Sequence, residues 1–149
     1  MNKLKLLTMS DIPTEEVRWL WYPYLPRGKI TMIQGDPGEG KTTFVLALAA
    51  LLTQGLSMPG GANGQPPMNI IYQTAEDGLA DTVKPRLTAL GADCSRVLVI
   101  DESERELTLS DRRLAQAIQE TNAVLFVLDP IQAYLGGGAE RAAGGPLQG

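Results

Sequence analysis

The sequence contains no histidine. That absence excludes histidine-based triads, histidine proton shuttles and every His-containing metal site in this chain. Cysteine occurs once, at Cys94, so neither an intrachain disulfide nor a cysteine-cluster zinc site can form, and nothing else points to an oxidising compartment. An excess of positive charge is missing too. The chain carries 13 Lys and Arg against 17 Asp and Glu, a net charge of −4, and so lacks the global basic footprint of a domain that neutralises many phosphates by itself. Long apolar runs are also absent: the longest, residues 44–52, is about half of what a bilayer span needs. The apolar stretch at Leu6 and Leu7 is too short for a signal peptide. The expectation is a cytoplasmic protein with no membrane partner. What is present, 44% apolar and 20% charged residues in 149, is the balance of a globular chain with one core. Its chemistry must rest on carboxylates, Lys, Arg, hydroxyls and backbone amides.

Residues 29–33 (Lys-Ile-Thr-Met-Ile) read as a short buried strand, followed at once by the turn signal of residues 35–38. From Lys41 to Gln54 the pattern is Ala/Leu-rich and helical, ending at Gly55, a residue suited to a left-handed C-terminal cap. Apolar residues surround this helix, which predicts its burial. Residues 55–67 form a loop with four glycines and three prolines. Residues 69–72 read as a second strand. Leu79, Val83, Leu87 and Leu90 then fall at helical spacing, with Pro85 predicted to kink or restart the helix and Gly91 to end it. Residues 97–100 are a third strand. Ser110 is a candidate N-cap for a helix through Thr121 that buries Leu114 and Ile118. Residues 123–128 are a fourth strand, wholly apolar and stopped by Asp129-Pro130. Strands alternating with helices predict an α/β fold with a parallel sheet. Residues 1–135 carry the fold, while residues 136–149, with six glycines in fourteen positions, are expected to be a flexible tail.

Gly35-Asp36-Pro37-Gly38-Glu39-Gly40-Lys41-Thr42 satisfies G-x-x-x-x-G-K-[ST] at every fixed position, between a predicted strand and a predicted helix. The chemistry needs a backbone that wraps a polyphosphate with its N–H groups pointing inward, which glycines at tight positions permit. The helix start adds its positive end, Lys41 reaches the β- and γ-phosphates, and the Thr42 hydroxyl can ligate Mg²⁺. The expected cofactor-binding set is Gly35, Asp36, Pro37, Gly38, Glu39, Gly40, Lys41, Thr42 and Thr43, with ATP and Mg²⁺ as cofactors. About ninety residues downstream, the apolar strand ending in Asp129 has the pattern of a metal-holding acid. Glu76 lies just past the second strand. Because parallel strands bring their C-terminal ends to one side, Glu76, Asp129 and the phosphate loop can converge on one ligand, where a carboxylate orients or deprotonates the attacking water. Asp77 reads as an N-cap of the next helix. Trp19, Trp21, Tyr22 and Tyr24 crowd before the first strand, either to stack on a base or to pack as an N-terminal segment over the sheet edge. Arg86, Arg105, Arg112 and Arg113 are arginine-finger candidates or solvated charges.

Across residues 17–135 the chain resembles RecA-like P-loop ATPases, most closely the RepA-type hexameric replicative helicases and related plasmid and phage ATPases. The resemblance rests on Pro26-Arg27-Gly28-Lys29, the phosphate loop, Thr74-Ala75-Glu76-Asp77 and Leu128-Asp129-Pro130. It implies phosphate and Mg²⁺ binding by Lys41 and Thr42, Asp129 as the Walker B acid, Glu76 as catalytic glutamate, and Lys41 as a further catalytic group. It also implies a hexameric homo-oligomer acting on single-stranded DNA through segments outside this sequence. In the family a further strand follows Walker B and lies between the Walker A and Walker B strands; nothing after Asp129 here can be that strand. The chain is therefore expected to be the N-terminal part of such an ATPase. A missing central strand leaves backbone groups unpaired and is expected to slow or stop hydrolysis. The expected function is ATP binding and hydrolysis as the motor of a helicase-type ATPase in DNA replication or recombination. The alternatives are a nucleotide-binding regulator or loader without efficient turnover, and a P-loop kinase.

Overall fold

In the computed structural model the described residues are 2–61 and 63–136, so the Gly-rich tail lies outside them except for Gly136. The chain divides into two compact units, Met1–Thr31 and Met32–Gly149. In the first, β1 (Trp19–Trp21) and β2 (Leu25–Pro26) pair antiparallel. The crowded aromatics meet one another: Trp19 stands edge-on to Tyr22 at 5.1 Å between centroids, and Trp21 lies 4.6 Å from Tyr24. Tyr22 and Tyr24 nevertheless remain largely exposed.

The second unit is α/β, as the alternation of patterns predicts. Its sheet is parallel, with β3 (Ile70–Thr74) in the centre, β4 (Val97–Leu98) on one side and β5 (Leu125–Asp129) on the other. Parallel neighbours need crossover connections. The β3-to-β4 crossover contains a π-helical turn (Leu79–Val83) and α2 (Lys84–Ala89), and the β4-to-β5 crossover contains α3 (Arg112–Thr121). Ile70, Ile71, Tyr72 and Gln73 of β3 are almost wholly buried, as befits a central strand. Helix α1 (Lys41–Gln54) packs on β3 and α2 and buries Leu46, Leu48, Ala49, Ala50, Leu52 and Thr53. At about 1.5–3 kcal/mol for each large aliphatic side chain removed from water, this face is the largest single contribution to the core. The helix stops where expected. Gly55 takes φ +71°, and a Cβ there would stand 2.5 Å from the Gln65 carbonyl, so only glycine fits. Pro85 lies in the first turn of α2 and restarts the helix after the π-helical turn.

Several expectations are corrected. Residues 29–33 form no strand. Ile30 is 89% and Met32 61% exposed, because β propensity supplies no ladder unless a strand lies alongside, and no described strand pairs with this segment. The third strand is shorter than residues 97–100: backbone pairing ends at Leu98, and the Gln73 side chain takes over at Ile100, accepting its N–H at 2.6 Å and donating to its carbonyl at 3.3 Å. The N-cap of α3 is Asp111, not Ser110, and its carboxylate accepts the Arg113 N–H at 2.9 Å. Helix α3 keeps the predicted period but buries nothing fully; Ile118 is exposed. Asp77 caps no helix, since Gly78 holds the cap position without a side-chain bond.

Candidate nucleotide-binding site

The phosphate loop leads directly into α1. Gly38 and Gly40 both sit at φ +85°, a conformation side-chain-bearing residues rarely adopt, so the motif glycines answer a backbone requirement. Gly40 is also the N-cap of α1. It offers no capping side chain, and the first turn holds no acid, so the helix start keeps its orphan N–H groups and positive end for a ligand. The loop bonds to itself instead: Lys41 Nζ donates to the Gly35 carbonyl, and the Glu39 carboxylate accepts the Asp36 N–H at 2.8 Å. The space beside the Gly35 α-carbon is filled by Glu39, whose Oε2 would lie 2.6 Å from any Cβ added there.

The strand ends bring the second half of the site together. Parallel register pairs Thr74 of β3 with Asp129 of β5, so both strands finish at one level. There the Thr42 hydroxyl, in the first turn of α1, donates to Asp129 Oδ2 at 2.9 Å across 87 residues of sequence. The Tyr72 hydroxyl donates to the same oxygen at 2.9 Å. Burial first, then the negative charge of Asp129, pushes the Tyr72 pKa well above the ordinary tyrosine range, so the phenol remains a donor at neutral pH. Tyr72 is the participant the sequence reading missed. Its signal was parity: two residues before Thr74, it lies on the same sheet face and one turn of pleat below the strand-end acid.

Glu76 lies two residues beyond that level, exposed, on a turn in which the Thr74 hydroxyl accepts the Glu76 N–H at 3.3 Å and the Asp77 N–H at 3.2 Å. Thr43 is exposed in the first turn of α1. Thus Thr42 and Asp129 are in contact, Lys41 adjoins Gly35, and no bond links the Glu76 side chain to Asp129 or Thr42. Among the described residues no three His, Cys, Asp or Glu converge as a metal cluster. The Thr42 hydroxyl and Asp129 carboxylate form a hard-oxygen pair instead, and that donor set suits Mg²⁺, which keeps waters and shares its shell with phosphates. Of the arginines, Arg113 is engaged locally, donating to Asp111 and to the carbonyls of Asp101, Arg105 and Glu106. Arg86 and Arg112 are exposed. No described helix is long and apolar enough to cross a membrane.

Comparison with known proteins agrees with this geometry. The chain is 31% identical over 106 residues to the DNA repair protein RadA of Bacillus subtilis (strain 168), covering 71% of this chain and 19% of that protein. It is 29% identical over 105 residues to the RadA of Halalkalibacterium halodurans, again covering 19% of the relative. The chain therefore spans about a fifth of the length of these curated relatives. No solved structure matches it. The AAA domain family, AAA_25, matches residues 3–145, nearly the whole chain. With a phosphate loop that opens directly into α1 and a parallel sheet ending in an acid that meets the loop's threonine, the chain belongs to the AAA domain family and has a RecA-like α/β fold.

Proposed function

We propose that this chain binds ATP with Mg²⁺ and hydrolyses it as the motor core of an ATPase that acts on DNA. The observation that carries the reading is the 2.9 Å contact between Thr42 and Asp129, which joins the phosphate loop to the end of a distant strand. The roles follow from chemistry. Backbone N–H groups of the loop from Gly35 to Thr42, Pro37 apart, cradle the phosphates, aided by the open α1 terminus. Lys41 leaves the Gly35 carbonyl to neutralise the β- and γ-phosphates. Thr42 and Asp129 hold Mg²⁺, which when bound draws charge from the phosphate oxygens. Glu76, exposed and free of competing bonds in the described structure, orients or deprotonates the water. DNA as the partner is supported by the similarity to two proteins named for DNA repair; a helicase-type role, a single-stranded substrate and a hexameric ring rest on the family resemblance alone.

Nucleotide-dependent regulation without efficient turnover is the second reading. The self-bonded loop favours it, because Lys41 and Glu39 occupy positions that a nucleotide must open. One experiment separates the two: ATP binding and hydrolysis measured with and without single-stranded DNA, for the wild type, Lys41→Ala and Glu76→Gln. The motor reading expects DNA-stimulated turnover lost in both variants, with nucleotide binding retained in Glu76→Gln. Tight binding without turnover in the wild type selects the regulator, and no nucleotide binding at all overturns both readings.

A further inference from the structure

The central strand carries a buried polar side chain on each face, and the two reach different neighbours. On one face Gln73 donates from Nε2 to the Ile100 carbonyl and, at 3.1 Å, to Glu102 Oε2. The other oxygen of Glu102 accepts the Leu107 N–H at 2.7 Å, so this face fastens the loop that follows β4. On the opposite face stands Tyr72, also wholly buried. Parallel register pairs Tyr72 with Val127 and Thr74 with Asp129, which puts Tyr72 and Asp129 on one face of the sheet. The phenol spans the gap between them, and its hydroxyl donates to Asp129 Oδ2 at 2.9 Å. A buried strand position asks only for an apolar filler. A phenol there needs an acceptor, and this one meets a carboxylate, with which a hydrogen bond is at its strongest.

Two donors thus meet on one oxygen. Among the described residues both side-chain hydrogen bonds that Asp129 accepts fall on Oδ2, from Thr42 and from Tyr72, and Oδ1 is left without a side-chain donor. The terminal torsion of an aspartate is soft, so a single donor lets the carboxylate swing, whereas two donors arriving from α1 and β3 restrict it. Nucleotide does not treat the two alike. Thr42 adjoins Lys41 in the first turn of α1, and the phosphate loop must give up its own bonds, Lys41 to Gly35 and Glu39 to Asp36, to admit phosphates. Tyr72 belongs to a strand paired on both sides, with no such bond to break.

We propose that Tyr72 is a positioning residue for the metal site: its hydroxyl holds Asp129 Oδ2 from the central strand, so that the carboxylate keeps one orientation while the phosphate loop opens for nucleotide. The roles then separate. Tyr72 sets how tightly Mg²⁺ is taken up, and the loop sets how tightly the nucleotide itself is held. This rests on the reading of Thr42 and Asp129 as the Mg²⁺ ligands.

The test is Tyr72→Phe, which deletes one oxygen and preserves the ring. Binding of a fluorescent, non-hydrolysable ATP analogue is measured first in chelator, without Mg²⁺, and then as Mg²⁺ is titrated. The expected result is a Mg²⁺ midpoint raised about three- to tenfold, the worth of one hydrogen bond, with the metal-free affinity for the analogue unchanged. An unmoved midpoint overturns the proposal. So does a raised midpoint accompanied by an equal loss of metal-free affinity, because that pattern belongs to a residue that only supports the fold. Should Tyr72→Phe not fold, the wild type decides by nuclear magnetic resonance: the Tyr72 hydroxyl proton is expected to stay protected from exchange with water when Mg²⁺ and the analogue bind, and its release on binding overturns the proposal. A wild type whose analogue binding ignores Mg²⁺ overturns the functional reading and this proposal together, whereas normal wild-type dependence with an unmoved variant overturns this proposal alone.

Discussion

Helices α1 and α3 begin in opposite ways. Asp111 fills the start of α3: it accepts the Arg113 N–H, receives two further bonds from the Arg113 guanidinium, and has Arg105 3.6 Å away. These donors hold its carboxyl well below the usual range, at about 2. Helix α1 begins at a left-handed glycine with no capping side chain and no acid in its first turn. The helix that buries no residue fully secures its own end, while the helix that anchors the core leaves its end open. Buried leucines hold α1 in place without a cap, so its N–H groups are released for an anion.

The comparison can be broken at the open end first. Asp129→Asn keeps the shape and removes the charge beside Thr42; Mg²⁺-dependent turnover is expected to fall about a hundredfold or more, measured by phosphate release at saturating ATP. Capping lost at the closed end gives a middle-sized effect. Asp111→Ala is expected to lower the midpoint of urea unfolding, with nucleotide affinity unchanged. The wild type shows the same contribution as a pH effect. Because the folded Asp111 pKa is depressed, its stabilisation is complete above the ordinary aspartate value of 3.8 and is lost as pH falls from there toward about 2. The acid-unfolding curve of Asp111→Ala should accordingly be flatter in that window. The smallest effect is expected at Glu39. If its carboxylate competes for the Asp36 N–H, Glu39→Gln should tighten ATP binding about two- to fivefold by calorimetry. Weaker binding would mean that Glu39 assists the ligand rather than standing in its way.

The parts legible in the sequence were those set by local chemistry. Gly40 and Gly55 bracket α1 because left-handed ends need glycine, and the strands expected at residues 69–72 and 123–128 form at 70–74 and 125–129, where the two pair with each other. Thr42 and Asp129 could be named in advance because motif spacing and strand-end geometry both point to them. What escaped depends on neighbours. Residues 29–33 have strand composition but no ladder, and Ile118 has the right period without a partner to bury it. Tyr72 looked like ordinary strand filling: its parity with Thr74 gives it a face of the sheet, but only the pairing of β3 with β5 brings Asp129 to that face. The replacement of Ser110 by Asp111 as cap turns on Arg113, two residues into the helix, and Ser110 instead shares a hydrogen bond with Thr108.

The carboxamide of Gln73 stands where the next rung of the β3–β4 ladder would be. Amide exchange will see the difference. The Ile71 and Leu98 amides belong to a region whose protection is set by opening of the sheet, but the Ile100 amide is shielded by a side chain that can swing away while the sheet stays closed. Its exchange rate is therefore a clock for the departure of the 101–109 loop alone, and comparing that rate with and without nucleotide would time the loop's response without perturbing a single residue.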